Sequence, residues 1–147
     1  MSVQDVVFSG FANPVDPTVE ELRAWAYHPD SVPLYTLPAD WDLLVAGDPL
    51  IQPLFELAQD PRCPARRFVL HCLYIYSADT VRTNYRAHPK RRLRKMLEQA
   101  EQNGDGPMSM WAHNVRALIR EPELFDYHDW CEGGLVRQPR RIDEMMR

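Results

Sequence analysis

Apolar residues recur along the chain at spacings of three and four, and a proline precedes most of these periodic segments. Proline suits the first turn of a helix, because its missing N–H would have no helical partner there, and it holds the preceding residue extended. The pattern therefore predicts about seven short helices. They open at Pro17, Pro38, Pro49, Pro64, Pro89, Pro107 and Pro122, and Asp79 is expected to cap a further segment after the one opened by Pro64.

Little in the chain favours β-structure. Only residues 3–8 and 32–37 allow a strand, and two short isolated strands are marginally stable. Residues 28–37, which contain two prolines, are interpreted as an extended connector. We therefore predict an all-α fold: a single compact domain over residues 1–136, built as an orthogonal bundle or a small helical-repeat-like stack, and a flexible basic tail at 137–147.

The composition fits an ordinary intracellular domain. With 147 residues and 45% apolar side chains, the chain is able to bury a core without staples. Its three cysteines form no CxxC pair, its first residues lack the pattern of a signal peptide, and its longest apolar run has nine residues. These features predict a cytoplasmic protein with no disulfide framework and no membrane partner.

Charge is distributed very unevenly along the sequence. The net charge is −4, yet residues 1–60 hold ten acidic side chains and one basic one, whereas residues 61–100 hold ten basic and two acidic ones. Such a separation has two interpretations. Either the middle segment binds an anionic partner, or the two regions neutralise each other within the fold.

The basic side chains concentrate at two predicted helix starts, where cations oppose the helix dipole. A sequence selected only for folding favours acids there, as after Pro17 and Pro122. The free N–H groups of a helix start also bind anions. The candidate anion- or partner-binding residues are Arg62, Arg66, Arg67, Lys90, Arg91, Arg92, Arg94 and Lys95.

Other reactive side chains carry weaker signals. His128 and Cys131, three residues apart on a predicted helix, have the spacing of a thiolate–imidazole pair, but they also fit a buried stripe. Ser109 and His113 are four apart, which alone does not make a catalytic pair. His71 is interpreted as a core histidine, hydrogen-bonded to Arg67, Tyr74 or Tyr27. No metal motif, nucleotide-binding loop or cofactor signature occurs, so we predict no cofactor and no metal.

The sequence thus favours a non-enzymatic interaction module, such as an adaptor, a regulator or an immunity-type protein, that binds another protein through a charged surface. Tyr35, Trp41 and Asp30 are candidate anchors for a basic partner. The first alternative is binding of nucleic acid or another anionic ligand at the basic helix starts, although an acidic pI near 5.7 argues against nucleic acid. The second is a small enzyme that uses His128 and Cys131, or His113.

Overall fold

The computed structural model describes residues 8–124, and these residues are all-α. No strand occurs among residues 8–124, so the all-α prediction is confirmed, with six α-helices where about seven helices were expected. Three 3₁₀ turns lie at Pro29–Ser31, Leu34–Thr36 and Pro122–Leu124. The helices are α1 (Val19–Tyr27), α2 (Trp41–Val45), α3 (Ile51–Ala58), α4 (Arg66–Arg82), α5 (Lys90–Asn103) and α6 (Gly106–Arg120).

Helix α1 begins two residues after the proline that was expected to open it. Thr18 is its N-cap: the Thr18 hydroxyl accepts a hydrogen bond from the Glu21 amide at 3.1 Å, and the Glu21 carboxylate accepts one from the Thr18 amide at 2.9 Å. This capping box gives hydrogen-bond acceptors to the amides of Thr18 and Glu21 at the start of the helix. Backbone hydrogen bonds from Thr18 and Ala12 lower the pKa of Glu21.

Helix α4 is continuous, and the prediction that Asp79 caps a separate segment is wrong. Neither glycine nor proline interrupts residues 66–82. The hydroxyls of Ser77 and Thr80 donate to the carbonyls of Leu73 and Tyr76, four residues earlier, at 2.6 and 2.7 Å. Polar side chains that suggest a helix end in the sequence are thus satisfied by the helix itself.

The connector between α1 and α2 is not extended. It folds into the turns Pro29–Ser31 and Leu34–Thr36, so the possible strand at 32–37 does not form. Proline at a turn start fixes a helical φ angle, which favours the short 3₁₀ hydrogen-bonding pattern here. The helix expected after Pro122 lies mostly outside the described residues, which include only its first turn, Pro122–Leu124.

The chain divides into two compact units between Cys72 and Leu73, within α4. In the first unit α1 packs against α3, and the core contains the fully buried side chains of Leu22, Trp25 and Leu54. In the second unit α5 packs against α6. Leu93, Met96, Leu97 and Ala100, which recur at helical spacing in the sequence, form the buried stripe of α5. A single domain over residues 1–136 stays a prediction.

Candidate binding surface

Two tryptophans organise the core of the first unit. Trp25 of α1 and Trp41 of α2 meet edge to face with their ring centroids 5.0 Å apart, and Phe68 stacks on Trp41 at 5.1 Å. Each indole N–H donates to a backbone carbonyl: Trp25 to Val32 at 2.9 Å, and Trp41 to Pro14 at 2.8 Å. The pair therefore fixes two connecting segments beside α2.

The segments held by this pair carry an unusual number of exposed apolar groups. Every large hydrophobic side chain that is exposed in residues 8–124 lies between positions 15 and 44. Each of them is within three residues of Trp41 or of Pro14 and Val32, whose carbonyls accept the two indole hydrogen bonds. Single exposed apolar residues are ordinary on a protein surface, whereas a group of them is typical of an interaction site. Its members are Val15, Leu34, Tyr35, Leu43 and Leu44.

Acidic side chains accompany these apolar ones. Three aspartates in the same stretch are exposed, and the sequence has no Lys or Arg from residue 24 to residue 55. These exposed carboxylates give the segments around α2 a negative charge. We call the five apolar side chains, together with Asp16, Asp30 and Asp40, the acidic–apolar surface.

Of the three candidate anchors named from the sequence, Tyr35 and Asp30 are exposed, but Trp41 is not. Tyr35 is 88% exposed, whereas Trp41 is only 2% exposed and belongs to the core. Successive residues of a helix point about 100° apart. Because Trp41 and Val45 of α2 face the core, Leu43 takes an outward position between them.

A buried hydrogen bond between a histidine and an aspartate anchors α2 to α4. The His71 imidazole Nε2 lies 2.7 Å from the Asp42 carboxylate, and both residues are buried. The Cys72 thiol donates a long hydrogen bond to the Asp42 carbonyl, with Sγ and O 3.9 Å apart. Asp42 also accepts from the Leu43 amide at 2.9 Å. This one side chain therefore sets the position of the short helix that displays Leu43.

His71 is a core histidine, as predicted, but its partner is Asp42 rather than Arg67, Tyr74 or Tyr27. Its Nδ1 is buried and has no hydrogen-bond partner in the described part of the chain. An unprotonated ring nitrogen is an acceptor, and a buried orphan acceptor is better tolerated than an orphan N–H. We therefore assign the ring proton to Nε2, where it points at the carboxylate.

The basic side chains predicted at the start of α4 face an acid from the first sixty residues. Asp60 accepts hydrogen bonds from the Tyr27 hydroxyl at 2.5 Å and from the Arg62 amide at 2.9 Å. These bonds, and the charges of Arg62 and Arg66, lower the pKa of Asp60. Arg66 also donates from Nε to the Ala58 carbonyl at 2.8 Å. Arg62 and Arg66 therefore have a structural role in the first unit.

A shallow cleft of about 190 Å³ lies in the same unit. Arg23, Tyr27, Glu56 and Leu57 line it. Arg23 and Glu56 form an ion pair across it at 2.9 Å, so their charges offset each other. The Tyr27 hydroxyl is already bonded to Asp60. This cleft offers no activated nucleophile and no separated acid and base, so it does not support catalysis.

The basic residues at the start of α5 belong to the second unit. No side chain caps this start, and its first turn contains no acid. The Lys90 ammonium lies over the Tyr85 ring, 5.2 Å from its centroid, and Arg92 is partly buried. Within the second unit, no described acidic side chain forms an ion pair with the exposed Arg91, Arg94 or Lys95. Glu101, in the last turn of α5, forms a bidentate pair with Arg116 of α6. This pair lies at the opposite end of α5 from the basic residues.

The remaining candidates add no chemistry. His128 and Cys131 lie outside the described residues. The Ser109 hydroxyl donates to the Gly104 carbonyl at 3.4 Å, which is a contact of the helix start rather than of a catalytic pair. Among residues 8–124 no group of three or more His, Cys, Asp or Glu side chains is placed to hold a metal ion. No helix in that range is long and apolar enough to cross a bilayer.

Comparison of the chain with protein-family models, with curated proteins and with solved structures finds no match to any of them.

The acidic–apolar surface was only partly accessible to sequence reasoning. Tyr35 and Asp30 were identified because they lie in a proline-rich connector with few basic neighbours. Leu43 and Leu44 were missed, since a leucine in a periodic segment is normally assigned to the core. The signal that would have found them is the run Leu43-Leu44-Val45, because a five-residue helix cannot direct three consecutive apolar side chains to one core.

Proposed function

We propose that the protein is a non-enzymatic interaction module that binds another protein through the acidic–apolar surface. The observation that carries this proposal is that all five exposed large hydrophobic side chains of residues 8–124 lie between positions 15 and 44, in segments that Trp25 and Trp41 hold together. Apolar groups that gather in one region and are rimmed by polar ones are typical of protein–protein interfaces. An adaptor, a regulator or an immunity-type protein would act in this way.

Tyr35 is the side chain best suited to anchor a partner. Tyrosine is frequent among residues that dominate binding energy, because its ring buries much area at a small cost in conformational entropy. The turn that presents it is held by hydrogen bonds from the Thr36 hydroxyl to the Pro33 carbonyl at 2.6 Å and from the Leu37 amide to the Leu34 carbonyl at 3.1 Å. An ordered turn lowers the entropy lost on binding.

Photo-crosslinking from position 35 tests the proposal. The full chain, with benzoylphenylalanine in place of Tyr35, is expressed in cells of its source organism and irradiated. We expect discrete adducts with another protein from position 35, and their loss when Leu44→Asp is added. The matched control carries the crosslinker at Gln102, which is exposed on α5. Identical adducts from both positions, or none from position 35, would refute the proposal.

Anion or nucleic-acid binding at the start of α5 is the second candidate function. It is supported by the exposure of Arg91, Arg94 and Lys95 on a helix start that no side chain caps. Titration with a labelled oligonucleotide and with inorganic polyphosphate tests it, because such binding weakens steeply as salt rises. The double variant Arg91→Glu, Arg94→Glu is expected to abolish binding. Equal affinity of the variant and the native chain would exclude this function.

A further inference from the structure

We infer that the partner of the acidic–apolar surface is a basic segment of another protein, in which Lys or Arg side chains stand beside aliphatic or aromatic ones. This inference rests on the proposed function and specifies its partner. It follows from the two properties that this surface combines, negative charge and exposed apolar area. Either property alone selects a broader class of partner.

Charge complementarity excludes acidic partners first. From residue 24 to residue 55 the chain holds four aspartates and neither Lys nor Arg. Asp42 is buried against His71, whereas Asp30 and Asp40 are exposed together with Asp16. An acidic partner meets like charges here, and a neutral partner covers carboxylates without compensating their lost hydration. A partner with Lys or Arg side chains avoids both costs.

The apolar side chains exclude a purely cationic partner. A Lys-rich tail or a polyamine leaves Leu34, Leu43 and Leu44 in water, so it gains only the screened attraction of exposed charges. A partner with apolar residues among its cations also buries this hydrophobic area. Because residues 8–124 contain no strand, they offer no sheet edge to an extended chain, and recognition depends on side chains.

Tyr35 favours arginine or lysine at the centre of such a segment. With 88% of its surface exposed, its ring offers a face on which a cation binds favourably. The same chain already contains this contact, since the Lys90 ammonium lies 5.2 Å from the centroid of the Tyr85 ring. Arginine is preferred over lysine in this position, because its planar guanidinium also stacks on the ring.

Selection from a random peptide library displayed on phage tests the inference. The immobilised full chain is compared with Tyr35→Ala, with Leu44→Asp and with Gln102→Ala, the matched control on α5. We expect the enriched peptides to have a net positive charge and at least two apolar residues. Their Kd should rise about tenfold or more in Tyr35→Ala and in Leu44→Asp, and stay unchanged in Gln102→Ala. Added salt should weaken binding several-fold without abolishing it.

The other results separate this inference from the proposed function. Neutral or acidic peptides that still require Tyr35 would overturn the partner chemistry alone. Peptides that bind all four chains equally, or no enriched peptide, would overturn both. Sedimentation of the chain without peptide completes the test: self-association that Tyr35→Ala abolishes would make a second copy the occupant and overturn the inference.

Discussion

The acidic–apolar surface and the start of α5 both carry several charged side chains, but the apolar side chains are exposed in the first and buried in the second. On α5 the apolar stripe of Leu93, Met96 and Leu97 is buried, and cations such as Arg91 and Arg94 are exposed. In the first unit five apolar side chains are exposed among the acids. Charge alone attracts many partners weakly, whereas charge with apolar area that binding removes from water favours a protein partner. The difference therefore supports the proposal that the first region binds a protein partner.

The two helix starts that carry basic residues also differ from each other. At α4 the carboxylate of Asp60 lies beside Arg62 and accepts a hydrogen bond from its amide. At α5 the first turn has no acid and no side-chain cap. The cations of α4 thus contribute to the local structure of the first unit, while those of α5 oppose their own helix dipole. An anion-binding role is therefore better supported at α5 than at α4.

Replacement of Trp41 should cause the largest loss of stability and should remove the binding properties that distinguish the acidic–apolar surface from α5. Trp41→Ala removes a fully buried ring, so we expect the free energy of unfolding to fall by about 3–5 kcal/mol. It should also abolish crosslinking from position 35. Urea unfolding measures the first effect. Trp41→Phe, which keeps a ring but loses the hydrogen bond to Pro14, should cost about 1 kcal/mol and keep the chain folded for the crosslinking assay.

The matched variant in the second unit is Leu97→Ala, which also empties a buried site. It should lower the free energy of unfolding by about 2–5 kcal/mol and leave the crosslinks from position 35 in the folded fraction unchanged. If Leu97→Ala removed the crosslinks as completely as Trp41→Ala, the surface would depend on general stability and not on the tryptophan pair.

Asp42→Asn should have the next largest effect. The variant keeps the size of the side chain but removes the charge that faces His71, so we expect a loss of about 1–3 kcal/mol in urea unfolding. The control is Asp40→Asn, since Asp40 is exposed and its side chain forms no capping hydrogen bond with α2. That change should stay within about 0.5 kcal/mol of the native value. Equal effects of the two variants would contradict an anchoring role for Asp42.

Arg91→Glu should change the stability by a smaller amount and tests whether the cations of α5 oppose its helix dipole. Because an acid in the first turn of α5 favours the helix dipole, we expect the free energy of unfolding to rise by about 0.3–1 kcal/mol. Gln102→Glu places the same charge in the last turn and should lower stability by a similar amount. Thermal unfolding at low salt measures both. A loss of stability in Arg91→Glu would indicate that Arg91 stabilises the fold.

Tyr27→Phe tests the structural role assigned to the start of α4. The Tyr27 hydroxyl is the main cause of the lowered pKa of Asp60, so its removal should raise that pKa toward the ordinary value for aspartate. A lowered carboxyl pKa stabilises the fold above the pKa of the unfolded chain, about 4, and this contribution is lost as pH falls through the folded pKa. The destabilisation by Tyr27→Phe should therefore shrink in acid. Carboxyl-carbon NMR titration checks the pKa, with Tyr35→Phe as the control.

Part of the fold and of the surface was predictable from local chemistry. The apolar stripes of α5 and α6 and the all-α class follow from helical periodicity and from the φ restriction of proline. Local patterns misled where two of them competed. The capping box of Thr18 displaced the start expected from Pro17, and the continuous α4 absorbed the cap expected at Asp79. Both outcomes depend on which backbone hydrogen bonds are satisfied at lower cost.

By itself the sequence determined the helical class, most helix positions and the separation of charge, and it made Tyr35 a candidate anchor in a proline-rich connector. Only the tertiary structure decided that Trp41 is buried while Leu43 and Leu44 are exposed. It also decided that His71 has Asp42 as its partner, 29 residues away. The physical reason is that periodicity shows which residues share a helix face. Which face is buried depends on the Trp25–Trp41 contact and on hydrogen bonds between segments distant in sequence.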